Sequence, residues 1–248
     1  GPPAAIQAQD YQFPQARRGW KVLMGSELEL VALPTEEAPD LPRWIAHGPG
    51  NPGRSGFQSS LSEALFEERI QEALKGAIRA VNDYLPSDFD HDFQFWIFDE
   101  IPYAAKTLDP HLILAAHLLH YEDRERLPLV LAHEIHHLAL IKAGWPGSGL
   151  SPRDSLLAGI LMEGTATWLS VESRLFPELD QILHDPSQLK ASFSRVGQAL
   201  EKAAANTPGR GIDLYQQEKW GYYVGCWMIQ QIEEEFGREA WLELLQIG

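Results

Sequence analysis

Cysteine is almost missing from this 248-residue chain. Cys226 stands alone, which excludes an intramolecular disulfide and any cysteine-ligated zinc cluster. Basic residues are also scarce, with 20 Lys and Arg against 35 Asp and Glu. A net charge of -15 opposes a polyanionic partner, so no nucleic-acid binding is expected. The chain has no run of 18 apolar residues, and therefore no expected transmembrane segment. Repeats and low-complexity tracts are absent as well. What is present is a globular composition, 44% hydrophobic and 22% charged, long enough for one large domain or two small ones. The sequence opens Gly-Pro-Pro without a Met. The expectation is an exported protein, periplasmic or extracellular, whose signal peptide is not part of this sequence.

Residues 1–57 read as a polar arm, a strand pair and a Pro/Gly-rich loop belonging to the same domain as residues 58–248. The strand pair is expected over 20–33, where Leu28, Leu30 and Ala32 alternate with Glu27, Glu29 and Val31. Five prolines and four glycines make 34–56 a long loop. Ser60-Leu-Ser-Glu63 reads as a capping box opening a helix, with Leu65, Ile70, Leu74, Ile78 and Val81 near helical spacing and Pro86 ending it. Strands are expected at 93–98 and 111–119. Further helices follow over 152–175, 187–205 and 216–236, the first opened by Ser151 as N-cap, Pro152 at its first position and Asp154 in its first turn.

Between the second of those strands and the 152–175 helix lies the most informative stretch, Leu127 to Lys142. It contains His133-Glu134-Ile135-His136-His137, the H-E-x-x-H pattern. Chance placement would give about 0.03 such matches in a chain of this composition, so the pattern calls for a chemical reading. Four residues on a helix turn roughly 400°, so His133 and His137 share a face and can hold one zinc ion. Glu134, about 100° round, can reach a water at that metal. Val130, Leu131, Ile135, Leu138 and Ala139 make the helix largely buried, where unpaired imidazoles and a carboxylate would be costly. A catalytic zinc needs a third protein ligand. Glu163, 26 positions beyond His137 in the next helix and set among Leu161, Met162, Ala166 and Trp168, is the leading candidate. Glu172 and an upstream His are the alternatives. His111, His117 and His120 are read as surface or supporting residues.

His133-Glu-x-x-His137 followed by Glu163-Gly-x-Ala166 resembles the gluzincin metallopeptidases, in particular the aminopeptidase N family. Tyr222-Tyr-Val-Gly225 resembles that family's Tyr-x-x-Gly helix, and the same trio of motifs is similar to small bacterial families of predicted zinc proteases. The resemblance covers about residues 90–245. It implies an α+β, zincin-like fold: a small twisted sheet packed on the metal helix, with a mostly helical C-terminal half. It also implies one zinc ion per chain, a peptide or protein substrate held extended by the 111–119 strand, Glu134 as general base, and Tyr222, with Tyr223 as its neighbour, assisting the transition state. Met162 stands where the aminopeptidases have Asn, and their Gly-x-Met-Glu-Asn motif is absent from 111–119. An endopeptidase is therefore expected in preference to an aminopeptidase. A catalytically silent zinc- and peptide-binding module, and a zinc hydrolase of a non-peptide substrate, would carry the same residues.

Overall fold

Phe93-Gln-Phe-Trp-Ile-Phe98 is apolar on both faces, which suits a strand at the centre of a sheet covered on both sides. A computed structural model describes residues 14–24, 27–42, 63–85, 92–99, 101, 105–116, 127–171, 177–205, 214–215 and 219–246, and places this segment there. Strands β1 (Ala16–Met24) and β2 (Leu28–Leu33) form an antiparallel hairpin. The central segment is β3 (Phe93–Phe98), which is antiparallel to β1 and parallel to β5 (His111–Ala115). Strand β4 (Ala105–Leu108) adds antiparallel to β5. The order across the mixed sheet is β2-β1-β3-β5-β4.

One face of the sheet, with Trp20, Val22, Phe93, Phe95, Ile97, Leu112 and Leu114, packs against two helices. Helix α1 (Glu63–Asn82) contributes Ile70, Leu74, Ile78 and Val81, and α2 (Leu127–Lys142) contributes Leu131, Ile135 and Leu138. The other face buries Trp96, Phe98, Ile113 and Ala115 under Leu41 and Ile101. The rest is helical: α3 (Pro152–Val171), α4 (Pro177–Leu183), α5 (Pro186–Ala204), α6 (Trp220–Phe236) and α7 (Glu239–Gln246). A second apolar cluster joins Ile160 of α3, Val196 and Ala199 of α5 and Val224 of α6. The protein is thus α+β. No described helix is long and apolar enough to cross a membrane.

Three readings change at this level. The strand at 111–119 ends at Ala115 and is not an edge, because β4 pairs with its free side. The outer strand next to α2 is therefore β4, four residues whose Ala-Lys-Thr-Leu sequence carries no apolar run. Pro177 does not merely end a helix. It begins α4, since proline fits a first helical turn. Strand β1 also starts earlier than Trp20, at Ala16, with a register shift against β3 between Ala16 and Arg18. The Ser60–Ser62 part of the capping box, most of the 34–56 loop, His117, His120 and Glu172 lie outside the described residues.

Candidate metal centre

Helix α2 is buried from Leu131 through Leu140 without a break, so its polar side chains must find partners inside the protein. Its end is set locally. Gly144, at φ +86°, allows a Schellman closure in which Trp145 N–H donates to Leu140 O and Gly144 N–H to Ile141 O. Helix α3 is then opened by Ser151, whose Oγ accepts from Asp154 N–H at 3.1 Å and donates to the Asp154 carboxylate at 2.7 Å. Between these two signals the chain folds back and lays the middle of α3 against α2.

This hairpin brings His133, His137 and Glu163 together. The His133 and His137 Nε2 atoms are 3.0 Å apart, and Glu163 Oε2 lies 3.1 Å from the first and 3.2 Å from the second. Both histidines are under a tenth exposed. Burial opposes ionising Glu163, but the His137 charge and hydrogen bonds to both imidazoles outweigh it and hold the carboxyl well below its usual range. Burial likewise opposes protonating His137, and Glu163 reverses the balance so that its pKa is raised.

The donor set fits zinc. Ligand bonds of about 2.0–2.1 Å in a tetrahedron place neighbouring donors about 3.3 Å apart, close to the separations seen here. Two nitrogens and one carboxylate oxygen form a single trigonal face, which leaves a fourth position open, as a catalytic site requires. Among the described residues these three form the group able to hold a metal ion. His136, adjacent in sequence, is fully buried, and neither ring nitrogen finds a hydrogen-bond partner among the described residues. Burial, then the charges of His137 and His133, push its pKa well down and keep it neutral.

Glu134 is 8% exposed and does not join the three donors. Thr107 of β4 holds it: Thr107 Oγ1 lies 2.8 Å from both Glu134 Oε2 and the Glu134 main-chain oxygen. Tyr222 sits near the start of α6, with its ring centroid 6.4 Å from that of His133. Tyr223 points elsewhere, into an apolar cluster with Leu179, Ile182 and Cys226.

Three features escaped the sequence reading. Thr107 lies in a strand too short to recognise. Tyr215 packs edge-on against Tyr222 with ring centroids 5.2 Å apart, and burial followed by the Glu163 charge pushes its phenol above the ordinary range. The third feature is the contact between the glycines of two motifs. A Cβ on Gly164 would lie 2.3 Å from the Gly225 carbonyl carbon, and one on Gly225 would lie 2.3 Å from the Ile160 carbonyl oxygen. The Glu163-Gly164 and Tyr222-x-x-Gly225 segments therefore meet backbone to backbone. The spacing Tyr-x-x-Gly was a visible signal, but its contact with Gly164 was not.

No curated protein and no solved structure matched the chain. The family described as "Putative zinc dependent peptidase (DUF5700)" matches residues 59–246, a span that includes α2, Glu163 and Tyr222. With most of its length matched, and with two histidines and a glutamate converging as a zinc site requires, the chain belongs to this zinc-dependent family.

Proposed function

We propose that this protein is a zinc endopeptidase of the gluzincin type, with His133, His137 and Glu163 as metal ligands and Glu134 as general base. The observation that carries the reading is the convergence of three donor atoms beside a buried, hydrogen-bonded carboxylate. Zinc, when bound, polarises a substrate carbonyl and lowers the pKa of water. Glu134 accepts a proton from the attacking water and delivers it to the leaving nitrogen. Tyr222 donates its hydroxyl to the carbonyl oxygen as negative charge builds there. The outer strand β4 runs beside α2 and offers main-chain groups to an extended peptide. Neither β4 nor β5 carries a carboxylate that could grip a free amino terminus, and the Lys106 charge reaches His137 instead, which supports internal cleavage.

The test is metal analysis joined to cleavage profiling. Purified protein carries one zinc per chain, and alanine at His133, His137 or Glu163 sharply weakens zinc binding. Chelation abolishes cleavage of a proteome-derived peptide library, and added zinc restores it. N-acetylated peptides are cut at internal bonds. Full zinc affinity in Glu163→Ala would remove that ligand from the set, and removal of single residues from free N-termini alone would overturn the endopeptidase reading.

Tyr222→Phe keeps the ring and removes one hydroxyl. The expected result is unchanged zinc content and unfolding temperature with kcat lower by about 10²–10³, the range for one lost oxyanion donor. Steady-state kinetics beside Tyr223→Phe check the assignment, because Tyr223 lies in an apolar cluster and its phenylalanine variant keeps normal turnover.

A further inference from the structure

Register and alternation fix which side chains of β4 face α2. Ala105 pairs with Leu114 and Thr107 with Leu112, and partners across an antiparallel pair share a face. Ala105, Leu112 and Leu114 all belong to the cluster that packs on α1 and α2, together with Phe93, Phe95 and Ile97. Thr107 is therefore a polar residue in a row that is otherwise apolar. A valine would fill the same volume there without a hydroxyl to satisfy. Among the described residues that hydroxyl is directed at Glu134, with Glu134 Oε2 and Glu134 O each 2.8 Å away.

We propose that Thr107 is a positioning residue for Glu134, holding the carboxylate in the orientation its proton transfer needs and tying the base to the outer strand that aligns substrate. This rests on the function proposed above. A glutamate side chain has several rotatable bonds, and a hydrogen bond to an ionised oxygen is among the stronger restraints available to it. The Glu134 main-chain oxygen lies equally close, so the single hydroxyl hydrogen is shared between carboxylate and carbonyl, and both contacts tie β4 to the helix at the same residue. Strand and base are then one unit: a peptide paired along β4 is set in register with Glu134 by the same threonine. A purely structural role is the competing account, since a threonine hydroxyl on a helix carbonyl can simply join a strand to a helix. The two accounts differ in what removing the hydroxyl does to turnover at constant fold.

The experiment uses the zinc-loaded full chain with Thr107→Val, Thr107→Ser, Glu134→Gln and the Thr107→Val/Glu134→Gln double variant. Thr107→Val is expected to stay folded with one zinc and a modestly lower unfolding temperature, as a buried carboxylate loses its donor, while kcat falls about 10- to 100-fold with KM nearly constant, the scale of a misplaced catalytic group. Thr107→Ser restores most of kcat. A second readout needs no turnover: acetohydroxamate, which binds a metal and shares a proton with a neighbouring base, is titrated calorimetrically. Thr107→Val weakens its binding about 10-fold, Thr107→Ser does not, and Thr107→Val adds nothing in the Glu134→Gln background. Additive effects of the two substitutions, or wild-type kcat and hydroxamate affinity in Thr107→Val, would overturn the inference and leave the peptidase reading intact. Absence of peptide cleavage by the wild type, with the non-additive hydroxamate pattern preserved, would remove the peptidase reading and leave the Thr107–Glu134 coupling standing.

Discussion

Glu134→Gln is expected to bind one zinc per chain, unfold at the wild-type temperature and turn over peptides on the order of 10³- to 10⁴-fold more slowly. Glutamine has the volume of glutamate, which matters at a position only 8% exposed. Its amide oxygen can still accept from Thr107 Oγ1, so the link between α2 and β4 survives. Glu134 stands apart from the three converging donors, so zinc affinity has no reason to fall. What the amide cannot do is accept a proton from water at neutral pH and return it to a leaving nitrogen. Zinc content by elemental analysis, thermal unfolding and single-turnover kinetics separate these properties. Loss of zinc in this variant would move Glu134 from proton transfer to metal binding, and wild-type turnover would remove it from the chemistry.

The parts of this site that were legible in sequence are those fixed by local geometry. His133 and His137 share a face because helical periodicity leaves no alternative, and the end of α2 was readable because Gly144 supplies a left-handed residue where a Schellman closure needs one. Glu163 was legible for a different reason. A carboxylate among Leu161, Met162, Ala166 and Trp168 needs a buried partner, and the chain offers two histidines one hairpin away. Strand β4 had no such signal. Ala-Lys-Thr-Leu is neither alternating nor β-branched enough to announce a strand, and it becomes one only by pairing with β5. Once β4 was unseen, Thr107 could not be placed against Glu134, 27 positions away, and the outer position in the sheet was given to the 111–119 strand, which β4 in fact covers. Tyr215 was invisible for the same reason, since its place depends on packing against Gly221 and Tyr222 at the start of α6.

Gly225→Ala is expected to cost more than about 3 kcal/mol of stability, although it adds one methyl group. The new Cβ would lie 2.3 Å from the Ile160 carbonyl oxygen and 2.8 Å from Gly164 Cα. Both neighbours are backbone atoms of α3, so no side chain can rotate aside and the two helices must separate. The crossing they form is also where the site is assembled. Glu163 immediately precedes Gly164, and Tyr222 lies three residues, close to one helical turn, before Gly225. His133, His137 and Glu163 sit on α2 and α3, so folded Gly225→Ala protein keeps most of its zinc affinity. Tyr222, carried on the displaced α6, moves away from His133, and kcat falls toward the Tyr222→Phe value. Gly197→Ala is the control. Gly197 is interior to α5 and, among the described residues, has nothing within 4 Å of its added Cβ, so the same substitution there stabilises by up to about 1 kcal/mol through helix propensity. Urea unfolding of both variants, zinc titration and kcat measure all three effects. Wild-type stability and turnover in Gly225→Ala would mean that the two glycines do not set the helix crossing, and that Tyr222 owes its position to something other than the fit of α6 against α3.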